Sequence, residues 1–302
     1  MNGESAIKIG GSAKEICRPS GCKQKAEGRT RGKVKRKKGG IMTAEKVRIL
    51  WNRRVGSSYY KIGLNCGSAL LAANPGQFVM LLLAGGISPL LRRPFSIHRI
   101  IEREGMEILY RVVGECTGRL SEVKEGEWVD VMGPLGKGFS LPEKHLVIFV
   151  VAGGIVVAPM LFLSEYVLGK KKAGLSDVKV FLGARTRDDL LCRDDFSNLG
   201  LEATITTDDG SEGDACLITS PVEAALKEKR PGVIYACGPK GMLKCLAGIS
   251  EEYKIPCQIS VETVMACGIG ACLGCAVDGK DENGYLHVCM DGPVFDSREI
   301  RL

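Results

Sequence analysis

Four cysteines in the C-terminal part of the chain have a spacing that suits a metal centre. The first three follow the pattern C-x4-C-x2-C, as in plant-type proteins whose four thiolates hold a [2Fe-2S] cluster. Glycines between them let the backbone curl around a cluster and aim N–H groups at sulfur. The candidate ligands are Cys267, Cys272, Cys275 and Cys289.

Zinc is the main alternative for these thiolates. The sequences of zinc sites usually contain two separate pairs of closely spaced cysteines. Here three cysteines are close together in the sequence and the fourth is distant. Disulfides are disfavoured in a reducing cytosol. Most of the remaining cysteines are expected to be small buried hydrophobes, and among them only Cys237 has a competing functional interpretation.

Two strand-like blocks run into glycine turns that could bind an anion. The first, Leu146 to Val151, precedes Gly153 and Gly154, and a later block precedes Gly238 and Pro239. A helix that starts after such a turn favours phosphate, because its free N–H groups and its dipole face the ligand. The strict GxGxxG fingerprint is absent, which argues against a generic Rossmann dehydrogenase.

Two polar segments earlier in the chain offer weaker signals. Arg92 to Ile97 combines two arginines with a serine, and Leu109 to Thr117 combines Arg111 with a turn that ends in a hydroxyl. Arginine can pair with phosphate and a hydroxyl can bond a heterocycle. An exposed arginine and an ordinary polar turn explain each segment equally well.

The order of predicted elements separates two folding patterns. From Ala44 to about Leu141, six short strands with turn signals indicate an antiparallel barrel. From His145 to about Pro256, apolar strands alternate with helices, which indicates a parallel sheet. The predicted barrel strands are Lys46 to Leu50, Tyr60 to Leu64, Gln77 to Leu83, Pro94 to Ile100, Met106 to Val112 and Trp128 to Met132.

Charge is concentrated at the N-terminus. The whole chain of 302 residues carries +7, but residues 1–40 hold 12 basic and 3 acidic side chains, a net of +9, and the rest carries −2. The leading segment has no apolar periodicity, so it is predicted to be a disordered, solvated tail or an upstream translation start. An arm that binds nucleic acid or a membrane surface is the alternative.

An uncharged run from Leu146 to Ser164 is long enough to suggest a transmembrane segment. Glycines and Pro159 interrupt it, so a strand, a turn and a soluble helix are predicted instead. No signal peptide is evident, and a cytoplasmic location is expected.

Seven motifs together resemble the electron-transfer subunit of class 1B dihydroorotate dehydrogenase, within the ferredoxin-NADP reductase superfamily. They are RRPFSI, LYRVVG, VMGPLGKGF, VAGGIVVAP, TTDDGS, ACGPKGM and MACGIGACLGC, and the resemblance covers about residues 44–302. The implied fold is α/β plus all-β. It has an antiparallel FAD-binding barrel at 44–142, a parallel-sheet NAD-binding domain at 143–256 and a small [2Fe-2S] subdomain at 257–302, and the disordered basic tail predicted from composition precedes it at 1–43.

The resemblance also implies roles for individual residues. Cys237 would be the catalytic residue, near the nicotinamide. Gly153, Gly154, Gly238 and Pro239 would bind NAD, and the four cysteines would hold the cluster. Two departures stand out, since Cys116 replaces a glycine at the flavin turn and Val156 occupies the third glycine position of the nucleotide loop. The FAD residues implied are Arg93, Pro94, Phe95, Ser96, Leu109, Tyr110, Arg111, Cys116 and Thr117.

The implied function is electron transfer in pyrimidine biosynthesis. A partner subunit that contains FMN would oxidise dihydroorotate, and electrons would pass through [2Fe-2S] and FAD to NAD+ within a heterotetramer. No acid-base pair for dihydroorotate is visible in this chain. The alternatives are an NAD(P)H-dependent reductase subunit of a sulfide dehydrogenase, hydrogenase or ferredoxin-linked complex, and a nucleic-acid-binding regulator that uses the basic tail.

Overall fold

The computed structural model describes residues 42–83, 90–101, 104–141, 146–170, 173–280 and 284–302. The predicted basic tail, apart from Met42 and Thr43, lies outside the described residues. The first strand already begins at Thr43, one residue before the predicted start of the barrel.

Seven antiparallel strands form the first sheet, in the order β4-β3-β7-β1-β2-β6-β5. Only Ile97 and His98 separate the two edge strands along the chain, so the sheet must curl back on itself as a barrel does. Two helices, α1 (Ser68–Leu71) and α2 (Glu115–Glu122), accompany it. The strands are β1 (Thr43–Arg54), β2 (Tyr59–Asn65), β3 (Phe78–Leu83), β4 (Arg93–Ser96), β5 (Arg99–Ile101), β6 (Gly105–Arg111) and β7 (Trp128–Leu135).

Side-chain alternation explains why these segments form a half-buried sheet. In β7, Val129, Val131, Gly133 and Leu135 are buried while the residues that alternate with them are more exposed, as expected when one face meets a core. The predicted strand from Pro94 to Ile100 is wrong in one respect, because it is two short strands, β4 and β5.

The second sheet has parallel strands covered by helices, as the apolar strand blocks predict. β8 is buried along its whole length, which matches a strand with helices on both faces. Its strands are β8 (Ile148–Gly153), β9 (Val178–Ala184), β10 (Ala203–Thr207), β11 (Val233–Cys237) and β12 (Cys257–Ser260). The helices are α3 (Ala158–Lys170), α4 (Arg193–Asn198), α5 (Thr219–Glu228) and α6 (Lys240–Glu252).

The uncharged run predicted as strand, turn and helix has that structure. β8 ends at Gly153, a 3₁₀ turn covers Gly154–Val157, and α3 follows directly. No helix within the described residues is long and apolar enough to cross a membrane.

The C-terminal segment is continuous with the parallel sheet. β13 (Ala276–Asp278) and β14 (Tyr285–His287) form a small ribbon, and β15 (Val294–Asp296) pairs antiparallel with β12. The second sheet therefore has the order β10-β9-β8-β11-β12-β15. The predicted boundary at Cys257 falls between two hydrogen-bonded strands of that sheet. The two-part architecture, with a C-terminal cysteine segment, is confirmed.

Candidate functional site

Three of the candidate cysteines lie in the loop of residues 267–275, here called the cysteine loop, and Cys289 lies beside it. Backbone N–H groups point at their sulfur atoms. The N–H of Gly270 donates to Cys289 Sγ at 3.2 Å, and that of Cys272 donates to Cys267 Sγ at 3.4 Å. The N–H of Cys289 donates to Cys275 Sγ at 3.5 Å. Such bonds stabilise thiolates, which are the ligand form of cysteine.

The sulfurs are arranged as two pairs, Cys267 with Cys272 and Cys275 with Cys289, and each pair is hydrogen-bonded through its side chains. Two pairs suit two irons. A single zinc ion would draw four sulfurs to within about 3.8 Å of one another. Among the described residues, the one group of three or more metal-ligand atoms all within 4.8 Å of each other lies elsewhere, so the pairs favour the dinuclear cluster over zinc.

The thiols at this centre differ in acidity. Slight burial acts to raise the pKa of Cys267, but N–H bonds from Ile269 and Cys272 outweigh it and lower the pKa to about 6. Burial, and then the bond with Cys275, raises the pKa of Cys289 to about 12. Cys267 is therefore more ready than Cys289 to bind metal as a thiolate.

Glycines allow the cysteine loop to pack closely against the barrel. Gly268 has φ +72°, and a Cβ at that position would lie 2.8 Å from Cγ of Met80 in β3. Met80 is paired with Pro94 of β4. The cysteine loop therefore packs on β3, and β3 pairs with β4, which contains the predicted FAD residues Arg93 to Ser96.

The predicted FAD residues all line one cavity of about 810 Å³, here called the barrel cavity. Aromatic rings form part of its wall, with the Phe95 and Tyr110 rings edge to face at 6.1 Å between centroids. Arg93 and Arg111 bring positive charge, and α2 begins at Glu115 beside them. An apolar cavity with cations and a helix N-terminus at one side fits a flat ring joined to a diphosphate.

Several polar groups of the barrel cavity are already engaged in the protein. The Thr117 hydroxyl accepts the N–H of Val113 at 2.9 Å and donates to Gly114 O at 3.1 Å, so it holds the start of α2. The predicted turn after Gly114 is thus the first turn of a helix. The Tyr110 hydroxyl donates to Asn52 Oδ1 at 3.0 Å. Arg92 does not line this cavity and pairs with Asp130 at 2.9 Å.

The predicted NAD glycines line a second cavity of about 670 Å³, here called the sheet cavity. It lies at the carboxyl ends of parallel strands, where open α/β sheets bind ligands. Gly153 and Gly238 allow their two turns to meet, because a Cβ on Gly153 would lie 2.9 Å from Pro239 Cδ. Gly154 has φ +64° and faces open space.

Cys237 lines neither of these cavities, although the next residue, Gly238, lines the sheet cavity. Its side chain is buried, and its thiol donates to Ser260 O at 3.8 Å. Burial raises the pKa of this thiol, so it stays protonated. Cys237 is the last residue of β11, is paired with Ala152 of β8 and directly precedes Gly238.

The two cavities share a wall formed by Arg111, Ile155, Val156 and Glu262. Val156, the residue at the third glycine position, is buried in that wall. Sequence reasoning missed Glu262, which lines both cavities. The protein around its carboxyl group raises the pKa of Glu262 by desolvation. It follows β12 closely, and its position after a parallel strand was the available signal.

Two family models match parts of the chain. The iron-sulfur cluster binding domain of dihydroorotate dehydrogenase B matches residues 262–301, and the oxidoreductase NAD-binding domain matches residues 150–247. The first match contains the four cysteines and the second contains the glycine turns of the sheet cavity. The predictions of an iron-sulfur cluster and of NAD agree with these matches.

Relatives named dihydroorotate dehydrogenase B (NAD(+)), electron transfer subunit, match most of the chain. The relative from Caldanaerobacter subterraneus subsp. tengcongensis is 41% identical, over 84% of this chain and 97% of that protein. The relative from Geobacillus kaustophilus is 38% identical, over 85% of this chain and 98% of that protein.

Solved structures show the same architecture. The structure of an NADH-dependent reduced ferredoxin-NADP oxidoreductase, described for flavin-based electron bifurcation, superposes with a TM-score of 0.72 and 28% identity, covering 84% of this chain and 89% of that chain. A ferredoxin NADP+ reductase from Neisseria gonorrhoeae with bound FAD and NADP gives a TM-score of 0.59 at 16% identity, covering 70% and 91%. The second likeness concerns the fold alone.

Proposed function

Because the chain belongs to the family of dihydroorotate dehydrogenase B electron transfer subunits, we propose that it carries electrons from a catalytic partner subunit to NAD+. The relatives' name as a subunit implies such a partner. We propose further that the partner holds FMN, oxidises dihydroorotate for pyrimidine biosynthesis, and joins this chain in a heterotetramer in the cytoplasm.

The shared wall of the two cavities is the observation that carries this proposal. Arg111, Ile155, Val156 and Glu262 contact both spaces, so a ring bound in the barrel cavity and a ring bound in the sheet cavity can meet there. The cysteine loop packs on Met80, whose strand partner Pro94 lines the barrel cavity. The barrel cavity therefore has the sheet cavity and the cysteine loop as neighbours.

The residues of each site have distinct tasks. Arg93 and the start of α2 are suited to hold a diphosphate, while Phe95 and Leu109 provide apolar contact for a ring. FAD accepts electrons singly or in pairs, so it supplies the link between a one-electron iron-sulfur centre and NAD+. The protein contributes position, charge and exclusion of water.

The sheet cavity contributes the nucleotide site. Gly153, Gly154, Gly238 and Pro239 form close turns whose backbone can approach a pyrophosphate. Cys237 beneath them acts as a buried, protonated support at the nicotinamide end, and Glu262 presents a carboxyl group to both cavities.

Anaerobic co-expression with the dihydroorotate-oxidising subunit tests this function. The complex is expected to form NADH from dihydroorotate, measured by absorbance, and to contain iron, FAD and FMN. Cys272→Ala is expected to lose its iron and the activity, whereas Cys216→Ala, which changes a half-buried cysteine outside the loop and outside both cavities, is expected to keep both. A stable chain that binds FAD but forms no complex with that subunit, and reduces ferredoxin with NADH instead, would contradict the proposed partner.

A further inference from the structure

A second group of potential metal ligands lies where the barrel sheet meets the parallel sheet. His98 follows β4 and Glu107 lies in β6, while Cys192 and Asp195 come from the start of α4. We call these four residues the interface cluster. The ligand atoms of His98, Cys192 and Asp195 all lie within 4.8 Å of one another.

His98 is fixed in the tautomer that a metal ligand needs. Its Nδ1 lies 2.8 Å from Ala158 O, and because a carbonyl can only accept, Nδ1 carries the hydrogen. The lone pair is therefore on Nε2, which lies 3.9 Å from Cys192 Sγ and 3.4 Å from Glu107 Oε1. Metal-binding histidines usually donate their other ring N–H in this way.

Glu107 supplies an independent sign that a ligand belongs here. Its Oε1 atom is buried and has no hydrogen-bond partner among the described residues, although it points toward His98 Nε2. A buried carboxylate oxygen without a partner is costly. The nearest cation, Lys61 Nζ, is 3.8 Å away, which is too far for a hydrogen bond.

Cys192 adopts a backbone conformation that is unusual for a side chain with a Cβ. It has φ +63°, in the left-handed region, immediately before α4. Such strain is found often where a side chain is held for a function. Burial raises the pKa of its thiol, so a cation is needed to hold it as a thiolate.

The charges of the cluster also leave room for a divalent cation. A Cys192 thiolate with ionised Glu107 and Asp195 gives three negative charges, of which Lys61 balances one. Lys61 Nζ lies 3.0 Å from Asp195 Oδ1 and 2.8 Å from Oδ2, and each carboxylate oxygen keeps a further lone pair. The remaining charge of −2 matches one divalent ion.

We propose that His98, Glu107, Cys192 and Asp195 bind one divalent transition-metal ion of the zinc class. Nitrogen, thiolate and carboxylate ligands suit zinc. In a tetrahedral zinc site, nitrogen lies about 3.3 Å from oxygen and about 3.6 Å from sulfur, close to the separations of His98 Nε2 from its neighbours. The ion displaces the thiol proton of Cys192 to solvent.

An entry path reaches this site from outside. A cavity of about 390 Å³ is lined by Lys61, Cys192 and Asp195 together with Asp194 and Glu212. Its lining also contains Arg187 and Arg193, so its three carboxylates are matched by three basic side chains. Two ligands come from the barrel and two from the start of α4 in the parallel-sheet part. The ion would therefore fasten these two parts together independently of the electron-transfer function.

Zinc analysis of the full chain tests the site. The protein, purified anaerobically with its iron-sulfur cluster, is dialysed against ZnCl2, passed over chelating resin and analysed for zinc and iron by mass spectrometry. About one zinc per chain is expected beside about two irons. Cys192→Ala is expected to lower the zinc content at least tenfold, and the matched control Cys216→Ala, another half-buried cysteine, is expected to leave it unchanged.

X-ray absorption at the zinc edge separates the interface cluster from the cysteine loop. One sulfur at about 2.3 Å with nitrogen and oxygen at about 2.0–2.2 Å is expected. A shell of several sulfurs would assign zinc to the loop and overturn the proposal. Equal zinc in wild type, Cys192→Ala and the second variant Asp195→Asn would also overturn it. Unfolding curves identify any variant that is not folded, and the other variant then decides.

Discussion

The hydroxyl of Tyr59 donates a hydrogen bond to Asp189 Oδ1 at 2.5 Å, and this bond joins the barrel to the parallel sheet. Tyr59 begins β2, while Asp189 lies in the segment after β9. Both residues line the sheet cavity. Desolvation, followed by the bond to Asp189, raises the pKa of Tyr59 to about 12, so the hydroxyl remains a donor at neutral pH.

Tyr59→Phe is expected to lower the free energy of unfolding by about 1 kcal/mol, because Asp189 loses a partly buried hydrogen bond. Urea unfolding measures the change. Tyr60→Phe is the matched control, since the Tyr60 ring stacks on Tyr110 and its hydroxyl bonds to none of the described residues. A loss of stability as large in Tyr60→Phe would contradict the role given to the Asp189 bond.

Much of the fold follows from local sequence pattern. The helix α6 (Lys240–Glu252) follows from its sequence, because Leu243, Leu246 and Ile249 recur at helical spacing and are buried together. The break between β4 and β5 was not predictable in this way. Ile97 N–H donates to Gln77 O and His98 N–H donates to Glu107 O, so the corner depends on distant strands.

The residues of the candidate site also divide into those with a local sequence signal and those brought together only by tertiary structure. The cysteine spacing and the glycine turns are local signals, so they were predictable from residues close together in the chain. Tyr59, Asp189 and Glu262 are single residues without a spacing pattern, and tertiary structure brings them to the sheet cavity. The interface cluster was missed because its ligands come from the corner between β4 and β5, from β6 and from the start of α4.

Gly154→Ala is expected to weaken NADH binding by about fivefold or more. Gly154 has φ +64°, where a Cβ costs about 1–2 kcal/mol, although the space around it is open. Alanine would favour a different φ at position 154. The backbone N–H groups that face the nucleotide would then change direction. Fluorescence titration with NADH measures the dissociation constant.

Gly169→Ala serves as the control for Gly154→Ala. Gly169 lies exposed in α3 with open space around it, so alanine there is expected to stabilise the helix by up to about 1 kcal/mol and to leave the NADH affinity unchanged. Equal NADH affinity in Gly154→Ala and wild type would mean that the turn does not bind the nucleotide through its backbone.

Gly270→Ala is expected to reduce the iron content of the purified protein and to speed cluster loss in air. Gly270 has φ +77°, its N–H donates to Cys289 Sγ, and a Cβ would lie 2.8 Å from Met290 Cγ. In contrast, a Cβ at Gly274 meets Cys272 Sγ at an ordinary 3.5 Å. Gly274→Ala should therefore keep its iron, and equal loss in both variants would contradict the role of the Gly270 backbone.

His98 makes the stability of the metal-free protein depend on pH. Burial lowers its pKa to about 3, while an unfolded histidine titrates near about 6.5. Between these values the unfolded state binds the extra proton, so the free energy of unfolding rises with pH, by about 1.4 kcal/mol between pH 5.5 and 7.5.

Glu107, whose pKa burial raises, acts in the opposite direction, so the test is the difference between wild type and His98→Gln. Urea unfolding in chelator-treated buffer should show wild type gaining more stability than His98→Gln as the pH rises. The control His287→Gln, at a partly exposed position, should follow wild type. Parallel pH profiles for wild type and His98→Gln would mean that His98 takes up its proton equally well in the folded state.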